Sequence, residues 1–311
     1  MIATAASANS PDSGMTMNQE KFVFASGGDS LVGTLFLPAG TTRGAVVTTG
    51  PLTSVKEQAA GVYARAMAER GFVALAFDHR TFGESGGTPR QFENPQGKAD
   101  DIRAAVSALT TDRRFGDLPI FALGVCAGGG YMALAVANGL PVRAFAGVAG
   151  VYPSAAQTRA WLGAGFDVAI DRARTAEQRW RATGEAETIP AVHANNGDVA
   201  MPLTEAYEYY GTPRGAVPNY VNGFAVQSRA YTLPFDVQEL ASSLHAPAIM
   251  IHSENALMPA LAKRFFAALP GKKQEVWMQS KGQIDFYDDH RLIDPSADVI
   301  AGFFEAEGTA I

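Results

Sequence analysis

Short runs of apolar, β-branched and aromatic residues alternate along this chain with longer stretches whose apolar positions recur every three or four residues. The runs at 21–25 and 31–37 flank Gly27-Gly28-Asp29, which predicts an antiparallel hairpin. Residues 44–49, 72–77, 120–123, 142–148, 248–252 and 274–278 read as further strands. Helical spacing covers 56–70, 99–109, 127–137, 260–269 and 298–305, and Gly71 is placed to close the first of these in the left-handed conformation. Continuous apolar strands alternating with helices predict an α/β fold, a mostly parallel sheet covered on both faces with the hairpin at one edge. The alternation fails between 152 and 232, where Trp, Tyr, Arg, Pro and Gly are scattered without a clear strand. The predicted organisation is a disordered leader at 1–19, a core at 20–151, a mainly helical cap at 152–232 and the rest of the core at 233–311. Met15 and Met17 are alternative starts.

Composition narrows the function. With 311 residues, 47% apolar and 18% charged, the chain approaches the upper size for one hydrophobic core and needs no disulfide or metal to fold. Its net charge is −6, and its 25 basic residues never gather in a run, so neither nucleic acid nor an anionic membrane is an expected partner. The single cysteine excludes an internal disulfide and fits a reducing compartment, so the expected location is the cytoplasm. No run of eighteen apolar residues is present, and no His or Cys pair has ligand spacing, so no membrane span, metal or cofactor is implied. Nothing in the sequence marks an oligomer interface.

The sharpest chemical feature is Gly124-Val125-Cys126-Ala127-Gly128-Gly129-Gly130 between a strand and a helix. It is a G-x-C-x-G form of the nucleophile elbow, whose glycines let strand and helix backbones pass closely. Cys126 would project above a helix N-terminus, where the dipole and the Ala127 N–H favour a thiolate and then an oxyanion. A small packing residue in a Gly-rich turn is the plain alternative.

With these residues the chain resembles the α/β-hydrolase superfamily, and within it Cys-containing proteins similar to dienelactone hydrolase and the polyketide-transferase-like proteins. The resemblance runs from about Phe22 to Phe304. It rests on Val55-Lys56-Glu57-Gln58, on the block from Asp78 to Gly87, on Cys126 to Tyr131, on Ser253-Glu254-Asn255-Ala256 and on Asp285-Phe286-Tyr287-Asp288. It implies the chain order nucleophile, acid, histidine. Glu254, just past the strand ending at His252, is then the expected acid, with capping or solvation as its plain role. The histidine is expected just before Asp285, where the chain has Gln283. An amide does not titrate, so Gln283 is no general base.

Three readings stay open. Another histidine serves: His79, at a strand end, is the best of the five, ahead of His193, His245, His252 and His290. Or Cys126 needs no base, which favours acyl transfer to an amine or thiol over hydrolysis. Or the site binds a small molecule without turnover, natively or as a His-to-Gln variant that traps a complex. The second oxyanion donor is expected from the loop at 50–54, where Pro51 lacks an N–H; Leu52 or Thr53 supplies it, with Thr53 also near the substrate. Asp78, Arg80 and Glu84 form an expected polar network beneath the site. Among the aromatics of 152–232, Trp161, Phe224 and Tyr231 are the candidates for lining an apolar pocket, and packing within the cap is their plain role. The function expected is acyl transfer or hydrolysis of a hydrophobic ester or thioester, in secondary metabolism, through a Cys126 acyl-enzyme.

Overall fold

The hairpin forms because Gly27 (φ 56°) and Gly28 (φ 91°) take the two left-handed positions of a tight turn, joining β1 (Asn18–Ser26) to β2 (Asp29–Leu37). The computed structural model describes residues 17–309. Pairing begins at Asn18, so residues 18 and 19 belong to β1 rather than to a disordered leader; positions 1–16 of that leader lie outside the described residues.

The alternating elements follow as β3 (Ala45–Thr49), α1 (Ala59–Glu69), β4 (Val73–Phe77), α2 (Pro95–Thr111), β5 (Ile120–Val125), α3 (Ala127–Ala137) and β6 (Ala144–Val148). Between β6 and β9 the chain forms α4 (Ala155–Leu162), α5 (Gly165–Thr183), β7 (Thr188–Ile189), α6 (Thr204–Tyr210), β8 (Phe224–Ala225) and α7 (Arg229–Thr232). The chain then closes with β9 (Ala248–His252), α8 (Pro259–Ala268), β10 (Lys273–Trp277), α9 (Asp285–Asp288) and α10 (His290–Gly308). The sheet order is β1-β2-β4-β3-β5-β6-β9-β10. β2 runs antiparallel to β4, and every pair from β4 to β10 is parallel. This is the α/β-hydrolase fold.

Strands buried on both faces explain the unbroken apolar runs. In β3, Val46 belongs to the core on one side of the sheet with Tyr63 of α1 and Phe304 of α10, while Ala45 and Val47 belong to the core on the other side with Ile102 of α2, Met132 of α3 and Phe265 of α8. β10 closes the sheet with exposed Lys273, Gln274 and Glu275, which discourage further pairing.

Four details differ from the sequence expectation. α1 begins at Ala59, not at 56, because the Lys56 backbone N–H and ammonium are both bound to Asp78. α2 begins at Pro95, not at 99, because Asn94 caps the Gln96 and Gly97 N–H groups and proline suits the first turn. α10 begins at His290, not at 298: Asp289 caps it, and Leu292, Ile293 and Ala297 bury a face that carries the helix through Pro295. The inserted segment, expected to lack strands, has a two-residue antiparallel ribbon of β7 and β8.

Candidate active site

Backbone crowding builds the elbow. A Cβ on Gly124 would lie 2.4 Å from the Gly128 carbonyl oxygen, and one on Gly128 would lie 2.5 Å from that of Thr49. Only glycine allows this approach of β5, α3 and β3. Cys126, between β5 and α3, is thereby held at φ 56°, ψ −124°, a region costly for a side-chain-bearing residue. Its N–H donates to Val148 (3.0 Å) and its carbonyl accepts from Gly129 and Val151 (2.9 and 2.8 Å), so the strain is held from three sides.

The Cys126 side chain opens into an apolar cavity of about 400 Å³, lined among others by Leu52, Tyr131, Met201, Tyr210, Phe235 and Tyr287. Burial pushes the thiol pKa above its ordinary value, against the downward pull of the Tyr287 hydroxyl, the Ala127 N–H and the Gln283 amide, with Glu205 adding to the rise. The dipole expected to favour a thiolate is therefore outweighed. Alkylation of Cys126 by iodoacetamide is expected to speed up as pH rises through a midpoint above the ordinary thiol range, because only the thiolate attacks. A rate already level at neutral pH contradicts this.

Around the sulfur, Ala127 opens α3 and Leu52 lines the cavity. Thr53, at φ 61°, gives its N–H to Glu93 Oε2 (3.1 Å), so that N–H is engaged away from the sulfur. Thr53 itself does not line the cavity. The other oxygen of Glu93 accepts from the Tyr131 hydroxyl (2.7 Å) and pairs with Lys98 (2.5 Å). Glu93 and Lys98 are both buried, so this pair fixes the loop from below.

Gln283 occupies the position expected for histidine and is a clamp. Its Nε2 donates to the Ala149 carbonyl (2.8 Å) and its Oε1 accepts from the Leu257 N–H (2.9 Å), tying together the loops after β6, β9 and β10. Glu254, the expected acid, points away: it is exposed, paired with Lys263 and absent from the cavity wall, because the turn from Ser253 to Ala256 carries it outward.

None of the five histidines lines the cavity. His79, the favoured substitute base, is buried, with Nδ1 donating to Asp101 (3.3 Å) and Nε2 accepting from the Thr49 hydroxyl (2.7 Å), so both nitrogens are engaged. Burial keeps its pKa low, against the pull of Asp101. His252 faces the Ser253 and Gly150 carbonyls, and His193, His245 and His290 are exposed. The expected network of Asp78, Arg80 and Glu84 is divided in two: Asp78 and Glu84 meet on Lys56, while Arg80 meets Asp101.

The three aromatics proposed for the pocket also lie elsewhere. Trp161 is 56% exposed at the end of α4. Phe224 packs with Ile189, Val226 and Ala176 in a small cluster of the inserted segment. Tyr231 packs on Phe92 and donates to Glu177 (2.9 Å). Tyr131, Tyr210, Phe235 and Tyr287 line the wall instead. Tyr287 belongs to the quoted block Asp285-Phe286-Tyr287-Asp288, the one signal that pointed to it. Glu205 of α6, also in the wall, carried no such signal. Among the described residues no group of three or more His, Cys, Asp or Glu side chains is placed to hold a metal. No helix there is long and apolar enough to cross a membrane.

Residues 45–189 match the model of a family described as serine aminopeptidase, S33. The uncharacterized protein PA2218 of Pseudomonas aeruginosa is 33% identical over 294 residues, which cover 89% of this chain and 77% of that one. Its crystal structure aligns at a TM-score of 0.78 and 27% identity over 99% of this chain and 100% of its own. The uncharacterized protein YcjY of Escherichia coli is 30% identical over 272 residues, covering 84% and 88%. The structure of DcsB in complex with its substrate analogue has a TM-score of 0.81 at 20% identity, over 94% of this chain and 100% of that one. At that identity the likeness is one of fold.

Proposed function

We propose, for a chain that belongs to the α/β-hydrolase superfamily and to one family with its Pseudomonas and Escherichia relatives, an enzyme that takes an acyl group onto Cys126. The donor is a hydrophobic ester or thioester, such as a polyketide-like acyl chain of secondary metabolism, and the acceptor is an amine, a thiol, an alcohol or water. The observation that carries this is the single nucleophile held on a strained turn at the floor of an apolar cavity. The sulfur bonds to the acyl carbon while the Ala127 and Leu52 N–H groups receive the charge that develops on the carbonyl oxygen. The donor's C–S or C–O bond then breaks with its pair going to the departing thiol or alcohol, which takes up the proton Cys126 has lost. A thiol is acidic enough to act without a histidine where a serine hydroxyl is not, which accords with Gln283 standing as a neutral clamp. The polypeptide alone does the chemistry, on a small-molecule donor in the cytoplasm.

One feature favours a second reading, a protein that binds the same ligands without turnover: burial pushes the Cys126 thiol above its ordinary pKa, which disfavours the attacking thiolate. Thiol release from a series of acyl thioesters decides between them. kcat/KM is expected to rise with acyl length, by up to about 3- to 4-fold per buried methylene, until the chain fills the cavity, and then to fall. Release that is absent, or indifferent to acyl length, contradicts the enzyme.

A further inference from the structure

Resting on the acyl-enzyme reading above, we propose that Glu205 is the general base that takes the proton from the acyl acceptor. The cavity holds no histidine, and Glu205 is the one carboxylate among the residues that line it. It comes from α6 of the inserted segment, far in sequence from the elbow.

The carboxylate is held, and the chain is shaped around it. Its Oε2 accepts the main-chain N–H groups of Gln283 (3.0 Å) and Ile284 (3.5 Å), so it is fixed to the loop that carries the residue in the histidine position. A Cβ on Gly282 would lie 2.2 Å from that same oxygen, so any larger residue there would push the carboxylate from its place. Oε1 has no hydrogen-bond partner among the described residues. On its outer side Glu205 also lines a polar cleft with Arg214, Lys281, Asp285 and Asp288, so it stands in the wall between the apolar cavity and a route for protons to solvent. Burial, with Asp285 and Glu208 adding negative charge, raises its pKa against the two N–H donors, toward the range where a carboxylate both accepts and returns a proton.

The step balances without any further reagent. Oε1 takes the proton of the acceptor's N–H, S–H or O–H, and the freed electron pair bonds to the acyl carbon of the Cys126 thioester. The C–S bond breaks with its pair going to Sγ, and the proton on Glu205 returns to the sulfur. The thiol and the carboxylate are both restored.

The test loads the full-length protein with octanoyl-N-acetylcysteamine and follows the Cys126 adduct by intact mass, with benzylamine as acceptor. Glu205→Gln keeps an oxygen for the Gln283 and Ile284 N–H groups and loses only the base. It is expected to acylate to the wild-type extent and to clear the adduct about 100-fold more slowly or worse. Glu205→Ala is expected to clear as slowly and to be partly rescued by formate, a readout that a packing role would not move. Wild-type clearance in Glu205→Gln, failure of that variant to acylate, or slow Glu205→Ala clearance that formate leaves unchanged each overturns the role of Glu205 alone. A wild-type protein that forms no adduct overturns the acyl-enzyme reading and this role with it.

Discussion

Glu93→Ala is expected to lower the stability of the fold by about 3–5 kcal/mol, the cost of leaving a buried charge without its partner. Glu93 has no exposed surface and Lys98 is 3% exposed. The substitution strands the Lys98 ammonium, the Tyr131 hydroxyl and the Thr53 N–H at once, because all three converge on one carboxylate. The rings of Phe82 and Tyr131, 4.6 and 5.0 Å from the ammonium, cannot replace it. Against a total stability of about 5–15 kcal/mol, such a loss is a large part of the whole. Urea unfolding checks it: the midpoint should fall at unchanged m. A loss below about 1 kcal/mol, the range of an exposed pair, contradicts the structural account of this network. Surviving enzyme should also acylate more slowly, since Glu93 orients the loop that carries Leu52.

Cys126→Ala and Cys126→Ser are both expected to lower kcat/KM for thioesters by at least about 1000-fold while leaving the fold intact. The serine variant is the informative one. Its hydroxyl is far less acidic than a thiol, and no imidazole in the cavity can take its proton, because His79 is engaged below with Thr49 and Asp101. Thioester kinetics together with melting temperatures separate this from unfolding. A serine variant that keeps a tenth or more of the activity would mean that a base serves residue 126 directly.

Much of the frame was legible because local sterics wrote it. Alternating strands and helices follow from burial on both faces of the sheet, and the elbow follows from glycines at positions where a Cβ would strike the backbone. The hairpin turn and the Gly71 cap, at φ 88°, depend on a residue's own conformational freedom in the same way. Other features are set by packing at a distance. Sequence position places Glu254 correctly after β9, but the turn it stands on directs the side chain outward to Lys263. His79 is likewise at the expected strand end, with its ring held beneath the floor by Asp101 of α2. The aromatics of the inserted segment divide between wall, small core and surface according to how its helices dock, which their spacing does not encode. Glu205 is the clearest case: an acid on a seven-residue helix acquires a role only when α6 meets the loop at Gln283. The late start expected for α10 has the same source, since the buried face of Leu292, Ile293 and Ala297 that carries the helix through Pro295 is set by packing.

The central claim is that Cys126 carries an acyl group. Peptide mapping by mass spectrometry, after brief incubation with a hydrophobic acyl thioester and acid quenching, tests it most directly. One acyl mass on the peptide containing Cys126, absent from Cys126→Ala, is the predicted result. A protein that binds the thioester and releases its thiol while Cys126 stays unmodified would contradict it.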